Sequence, residues 1–119
     1  MTTMPTQQWV FKARATHVVD GDTIDVYLDA GFHAYRVERL RLLRVNAPEM
    51  KLDTYAAGLA AKEYVTAWLT AGAIGDWPLI LQTSKSDVFG RYLAEVWRSS
   101  DGANLSYDLL ASGNAVPYP

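Results

Sequence analysis

Residues 39–50 read R-L-R-L-L-R-V-N-A-P-E-M. Leu40 and Leu42 alternate with Arg39, Arg41 and Leu43, the period of two that a half-buried strand presents. Asn46-Ala47-Pro48 ends the pattern, because proline has no N–H and restricts the residue before it. A strand predicted over 35–45 therefore carries Arg41 and ends in a turn that brings Asn46 and Glu49 to the same sheet edge. A guanidinium, an oxygen donor and a carboxylate within one short reach form a set that suits phosphate-ester chemistry.

The same pattern can be followed along the chain. Residues 1–8 are polar, with a proline, and read as a loose lead-in to one domain over 9–119. Aromatic and β-branched residues over 9–19 predict a strand, and Asp20-Gly21-Asp22 breaks it. Alternation resumes over 23–28, and Asp29-Ala30-Gly31 predicts a hairpin turn before the strand over 35–45. Asp53 or Thr54 caps a helix running to about Thr70, with Ala57, Ala61, Tyr64, Val65 and Trp68 on one face and Gly72 as its stop. Strands follow over 79–83 and 91–98, then a short helix over 105–112 with Leu105, Leu109 and Leu110 on one face and Gly113 after it. Five strands with a helix between the third and fourth predict an α+β, mainly β architecture. It is a five-stranded Greek-key barrel of the OB kind with two flanking helices.

Composition narrows the chemistry. The 119 residues are 50% hydrophobic and 20% charged, the profile of a folded chain with one modest core. Without cysteine, thiol catalysis and disulfides are ruled out, and two histidines are too few for a multi-histidine zinc site. Any metal is expected to be a hard cation held by oxygen. The formal net charge of -2 argues against a broadly basic nucleic-acid surface, so a local site must hold any polyanion. No run is apolar enough to span a bilayer and 1–8 lacks a signal-peptide pattern. The expectation is a cytoplasmic or phage-encoded intracellular protein with no membrane partner.

Three patches carry candidate chemistry. In Asp20-Gly21-Asp22-Thr23 one acid can coordinate a cation while the other braces the loop, although D-G-D-T is also a common surface turn. Arg41 can clamp a phosphate through a planar pair of donors, Glu49 can act as a base toward water, and Asn46 and the Ala47 carbonyl are oxygen donors. The competing reading makes the arginines solvated strand residues and N-A-P-E a helix-entry turn. In Asp87-Val88-Phe89-Gly90-Arg91 a second arginine follows a glycine turn and can approach a phosphate from the opposite side, or can simply decorate a hairpin tip.

Taken together, in this order and spacing, D-G-D-T, R-L-L-R-V-N-A-P-E and D-V-F-G-R resemble the staphylococcal nuclease family over roughly residues 16–118. The helix between the second and third motifs and the terminal N-L-S-Y-D-L-L-A-S-G-N-A segment share in the likeness. The resemblance implies an OB barrel that hydrolyses DNA and RNA phosphodiesters with calcium and leaves 3′-phosphates. It implies Arg41, Glu49 and Arg91 as the catalytic set. Calcium would be held by Asp22, Asn46 and the Ala47 backbone carbonyl, with Asp20 and Thr23 behind them. Lys85, Phe89 and Tyr118 are the implied substrate contacts.

The departures from the family pattern carry expectations too. Asn46 stands where the family commonly has an aspartate, which predicts weaker calcium binding. Phe89 replaces a tyrosine, and the secreted prototype's third helix has no expected counterpart. Single-stranded DNA or RNA is the favoured substrate and a monomer the expected state. The alternative is a catalytically silent OB module that binds single-stranded nucleic acid or a protein. His17 and His33, in strand-like contexts, read as structural. Trp9, Trp68, Trp77 and Trp97 read as core or barrel-end packing rather than stacking platforms.

Overall fold

The alternating segments close on one another. The computed structural model describes residues 9–86 and 89–118, apart from the side chains of Lys85 and Ser86. The expected lead-in over 1–8 and Asp87 of the third motif lie outside the described residues. The elements are β1 Val10–Asp20, β2 Thr23–Asp29, β3 Tyr35–Leu42, β4 Val45–Asn46, α1 Tyr55–Ala71, β5 Leu79–Ser86, β6 Tyr92–Arg98, α2 Leu105–Ala111 and β7 Val116–Pro117. Strands β1-β2-β3-β6-β5 form a closed barrel in that order. All neighbours are antiparallel except β3 and β6, which run parallel from Leu40↔Tyr92 to Leu42↔Ala94. This is the OB-like, mainly β fold with two helices that the element order predicts.

Inward positions fill the barrel with Ile24, Val26 and Leu28 of β2, Leu40 and Leu42 of β3, Leu79 and Leu81 of β5, and Ala94 and Val96 of β6. Helix α1 packs on β1, and α2 packs on β6 and α1. Asn104 caps α2 by accepting the Tyr107 N–H at 2.9 Å. The Trp68 indole N–H donates to Asp108 at 2.8 Å and joins the two helices.

Several sequence expectations are corrected. The buried face of α1 carries Gly58, Ala61, Val65 and Trp68, whereas Ala57 is exposed. A Cβ at Gly58 would stand 2.8 Å from the Glu49 carbonyl carbon and oxygen, so the helix turns its bare position to that loop. The strand expected over 35–45 stops at Leu42: Arg44 has φ +70, and the chain turns there before β4. His33 lies in the Gly31–Ala34 turn at φ +59 rather than in a strand.

The tail, which showed no element in the sequence pattern, supplies a strand. Val45 pairs with Pro117 and Asn46 with Val116, so β7 lies against β4. Trp9, expected in packing, is 65% exposed, whereas Trp68 is buried.

The D-G-D-T turn is pressed against α1. A Cβ on Gly21 would lie 2.7 Å from Ala61 Cβ and 2.8 Å from Ala47 Cβ, closer than such atoms approach. Gly21→Ala is therefore expected to cost about 1–3 kcal/mol of unfolding free energy, because two rigid neighbours must shift. Urea melts would show it, and a midpoint equal to wild type would mean that the turn yields freely.

Candidate active site

Asp22 sits at the end of the β1–β2 turn with its side chain almost out of solvent. Its Oδ2 accepts the Ala47 N–H at 2.9 Å, and its Oδ1 accepts the Thr23 hydroxyl at 3.1 Å. The Asp22 N–H in turn donates to Asp20 Oδ1 at 3.1 Å. One carboxylate thus ties the first motif to the second across 25 positions of sequence.

Arg41 projects from the outer side of β3 into the same cluster. Its Nη1 donates to the carbonyls of Leu42 and Val45, both at 2.8 Å, and clamps the tight turn between β3 and β4. Its Nη2 lies 3.3 Å from Asn46 Oδ1 and 3.5 Å from Asp22 Oδ2. The turn is held from other directions too. Leu43 N–H donates to Ala94 at 3.0 Å, the buried Ser106 hydroxyl donates to Leu43 at 2.8 Å, and Tyr118 N–H donates to Arg44 at 2.9 Å. The Arg44 guanidinium pairs with Glu95 of β6 at 2.7 Å.

Arg91, from the third motif, reaches the cluster as well: its Nη1 donates to Thr23 Oγ1 at 3.3 Å, across 68 positions. The Thr23 hydroxyl therefore links the Arg91 guanidinium to the Asp22 carboxylate. Two aromatic rings flank the arginines. Arg91 lies 5.1 Å from the Phe89 ring and Arg41 lies 5.6 Å from the Tyr118 ring. Both residues are more than half exposed.

The structure thus brings together Asp20, Asp22, Thr23, Arg41, Asn46, Ala47, Arg91, Phe89 and Tyr118. It does not bring Glu49 into that hydrogen-bonded set. The Glu49 carboxylate is exposed and pairs with Lys51 at 2.7 Å, while its backbone carbonyl accepts the Thr54 hydroxyl. Its carboxylate is thus engaged by a lysine rather than by Arg41 or Asn46. Lys85 falls on β5, with its side chain outside the described residues.

Burial is the main cause that raises the Asp22 pKa above the ordinary carboxylate value, and the neighbouring Asp20 carboxyl adds to it. The Ala47 N–H and the Arg41 charge pull the other way without cancelling the rise. Two carboxyls in one turn, one of them buried, are the arrangement that a cation relieves.

Among the described residues no group of three or more His, Asp or Glu side chains stands ready to hold a metal. A cation would instead draw on the Asp22 carboxylate, the Asn46 side-chain oxygen and the Ala47 carbonyl, with the Asp20 carboxylate behind them. That all-oxygen set fits a hard ion such as calcium. A cleft of about 840 Å³ lies elsewhere, lined by Trp9, Phe11, Leu28, Leu40, Leu43 and Tyr92 among others, and contains none of Asp22, Arg41, Glu49 or Arg91.

Ser106, Glu95 and the tail strand position the site and were not singled out in the sequence. Ser106 carried one readable signal, its place next to Leu105 and three residues before Leu109, at helical spacing on the buried face. No protein-family model and no curated protein matches this chain.

The raised Asp22 pKa has a testable sign. A carboxyl that holds its proton more tightly when folded stabilises the fold fully below its unfolded pKa of about 3.9. That contribution is lost as the pH rises through the folded value. The stability of the wild type relative to Asp22→Asn is therefore expected to increase as the pH is lowered from about 7 towards about 4. Urea melts of both proteins at a series of pH values measure this, and a constant difference would contradict it.

Proposed function

We propose that this protein is a calcium-dependent nuclease that hydrolyses phosphodiester bonds of DNA or RNA, prefers single strands and works as a monomer. The observation that carries the reading is the convergence of the three motifs: Arg91, Thr23, Asp22 and Arg41 form one chain of contacts although they arise from separate parts of the sequence. Two guanidiniums beside two carboxylates suit a phosphate together with a divalent ion.

In this scheme the guanidiniums of Arg41 and Arg91 hold the non-bridging oxygens of the scissile phosphate and stabilise the charge that gathers there. Asp22, Asn46 and the Ala47 carbonyl would hold calcium, with Asp20 and Thr23 behind them, and the bound ion would supply further positive charge at the same oxygens. Glu49 turns from its exposed pairing with Lys51, orients a water and takes its proton. The water oxygen bonds to phosphorus, the bond to the 5′ oxygen breaks, and that oxygen takes a proton from solvent. The product keeps a 3′-phosphate. Phe89 and Tyr118 offer their exposed faces to the flanking bases.

The second reading is a catalytically silent OB module that binds single-stranded nucleic acid or a protein. It is favoured by the engagement of Arg41 Nη1 with two backbone carbonyls and by the pairing of Glu49 with Lys51.

Cleavage of single-stranded DNA in calcium and in EDTA separates the two. The nuclease cuts only in calcium, slows by about a hundred-fold or more in Arg91→Ala, and falls by orders of magnitude in Glu49→Ser. Binding without any cutting by the wild type would select the silent module. In calorimetric titration Asn46→Asp is expected to bind calcium more tightly than the wild type, since it restores a charged ligand. Equal affinities would remove Asn46 from the calcium site.

A further inference from the structure

The cleft of about 840 Å³ takes no part in the chemistry proposed above. Among the described residues, its wall draws on all five barrel strands and on neither helix. Its cause is local. β3 and β6 pair only from Leu40↔Tyr92 to Leu42↔Ala94, so the Tyr35–Arg39 half of β3 has β2 on one side and no described strand on the other. The barrel is unzipped there, and the cleft opens into the gap.

The strand pattern marks the same place. Leu40 and Leu42 are buried positions of β3, and Glu38 and Arg36 carry that parity on into the cleft wall. Charged residues at core-facing positions break the pattern that a fully closed barrel requires. The two form an ion pair in which the carboxylate is the deeper partner, with its side chain 20% exposed against 60% for the guanidinium. Glu95 also lies on the wall and is held by Arg44, which does not.

Most of the remaining wall is apolar. Trp9, Phe11 and Tyr92 bring three aromatic residues, and Leu28 and Leu40 add aliphatic surface. A concave apolar space of this size with a few polar groups suits a small molecule. Its charge selects the kind. Among the described residues the wall carries two acids and one base, and the base is the one that solvent already reaches. An ion pair so open to water contributes little, so another cation can replace the Arg36 guanidinium at small cost. Aromatic faces favour cations as well.

We infer that this cleft binds a small organic cation, an ammonium or guanidinium carried on an aromatic or alkyl body. The body rests against Trp9, Phe11 and Tyr92, and the cation pairs with Glu38 in place of Arg36. The site is separate from the Asp22–Arg41 cluster and needs neither calcium nor cleavage of a strand.

Calorimetric titration of the calcium-free protein near neutral pH with phenethylamine, phenethyl alcohol and phenylpropionate tests this, because the three share one body and differ in charge. The amine is expected to bind about ten-fold more tightly than the alcohol, and the carboxylate most weakly. Glu38→Gln is expected to bring the amine down to the affinity of the alcohol, and Trp9→Ala to weaken both. Neither residue belongs to the buried core, so both variants keep the fold. Amide shifts in NMR spectra of the wild type locate the bound amine without any variant, and changes centred on Phe11, Glu38 and Tyr92 would uphold the site. No saturable binding of the amine, equal affinity for amine and alcohol, or an amine preference that survives Glu38→Gln would overturn it. Changes centred instead on the stacked rings of Tyr27, Tyr35 and Trp77 would overturn it too.

Discussion

The buried carboxylate of Asp22 is the contact on which the rest of the site depends. Its two oxygens accept from a backbone N–H of the second motif and a hydroxyl of the first, and a guanidinium stands beside it. An ionised group so far from water is costly unless its lone pairs are met. The D-G-D-T turn, the end of β3 and the N-A-P segment are thereby held in one arrangement. Gly21 permits that approach, since any side chain there would collide with Ala47 and Ala61. The same contact leaves Asp22 harder to ionise than a solvated aspartate, which is the physical reason that a cation beside it would be welcome.

Arg41 has two tasks that compete. Half of its guanidinium clamps the turn between β3 and β4, and the other half faces Asn46 and Asp22. A lysine could not do both, because it lacks the rigid fork that addresses two carbonyls and a carboxylate together. The exposed Phe89 and Tyr118 residues then sit beside the two arginines, one from the loop before β6 and one just after the tail strand.

Much of the fold was legible in the sequence. Period-two alternation and β-prone residue types located the barrel strands, the glycine after each helix marked its end, and the order of elements predicted the OB-like barrel that the structure contains. The misreadings have physical causes. Ala57 and Gly58 are both small, and only the proximity of the Glu49 backbone decides which faces inward. The break at Leu43-Arg44 has no proline or glycine to announce it, because bonds from Ala94, Ser106 and Tyr118 hold the turn from elsewhere in the chain. Trp9 reads as packing by type, yet it stands at the edge of the barrel.

The sequence by itself determined which residue types were available and where: two arginines, paired aspartates and an N-A-P turn, each within a segment of defined period. Only the tertiary structure decided that Arg91 meets Thr23, that Val116-Pro117 completes a strand beside Asn46, and that Glu49 turns to Lys51. It alone aligned Arg14, Tyr27, Tyr35 and Trp77 on one surface. The reason is that local periodicity is set by backbone geometry within a few residues, whereas these contacts join positions far apart in the chain. Their pairing follows from barrel closure and strand register, which no single segment contains.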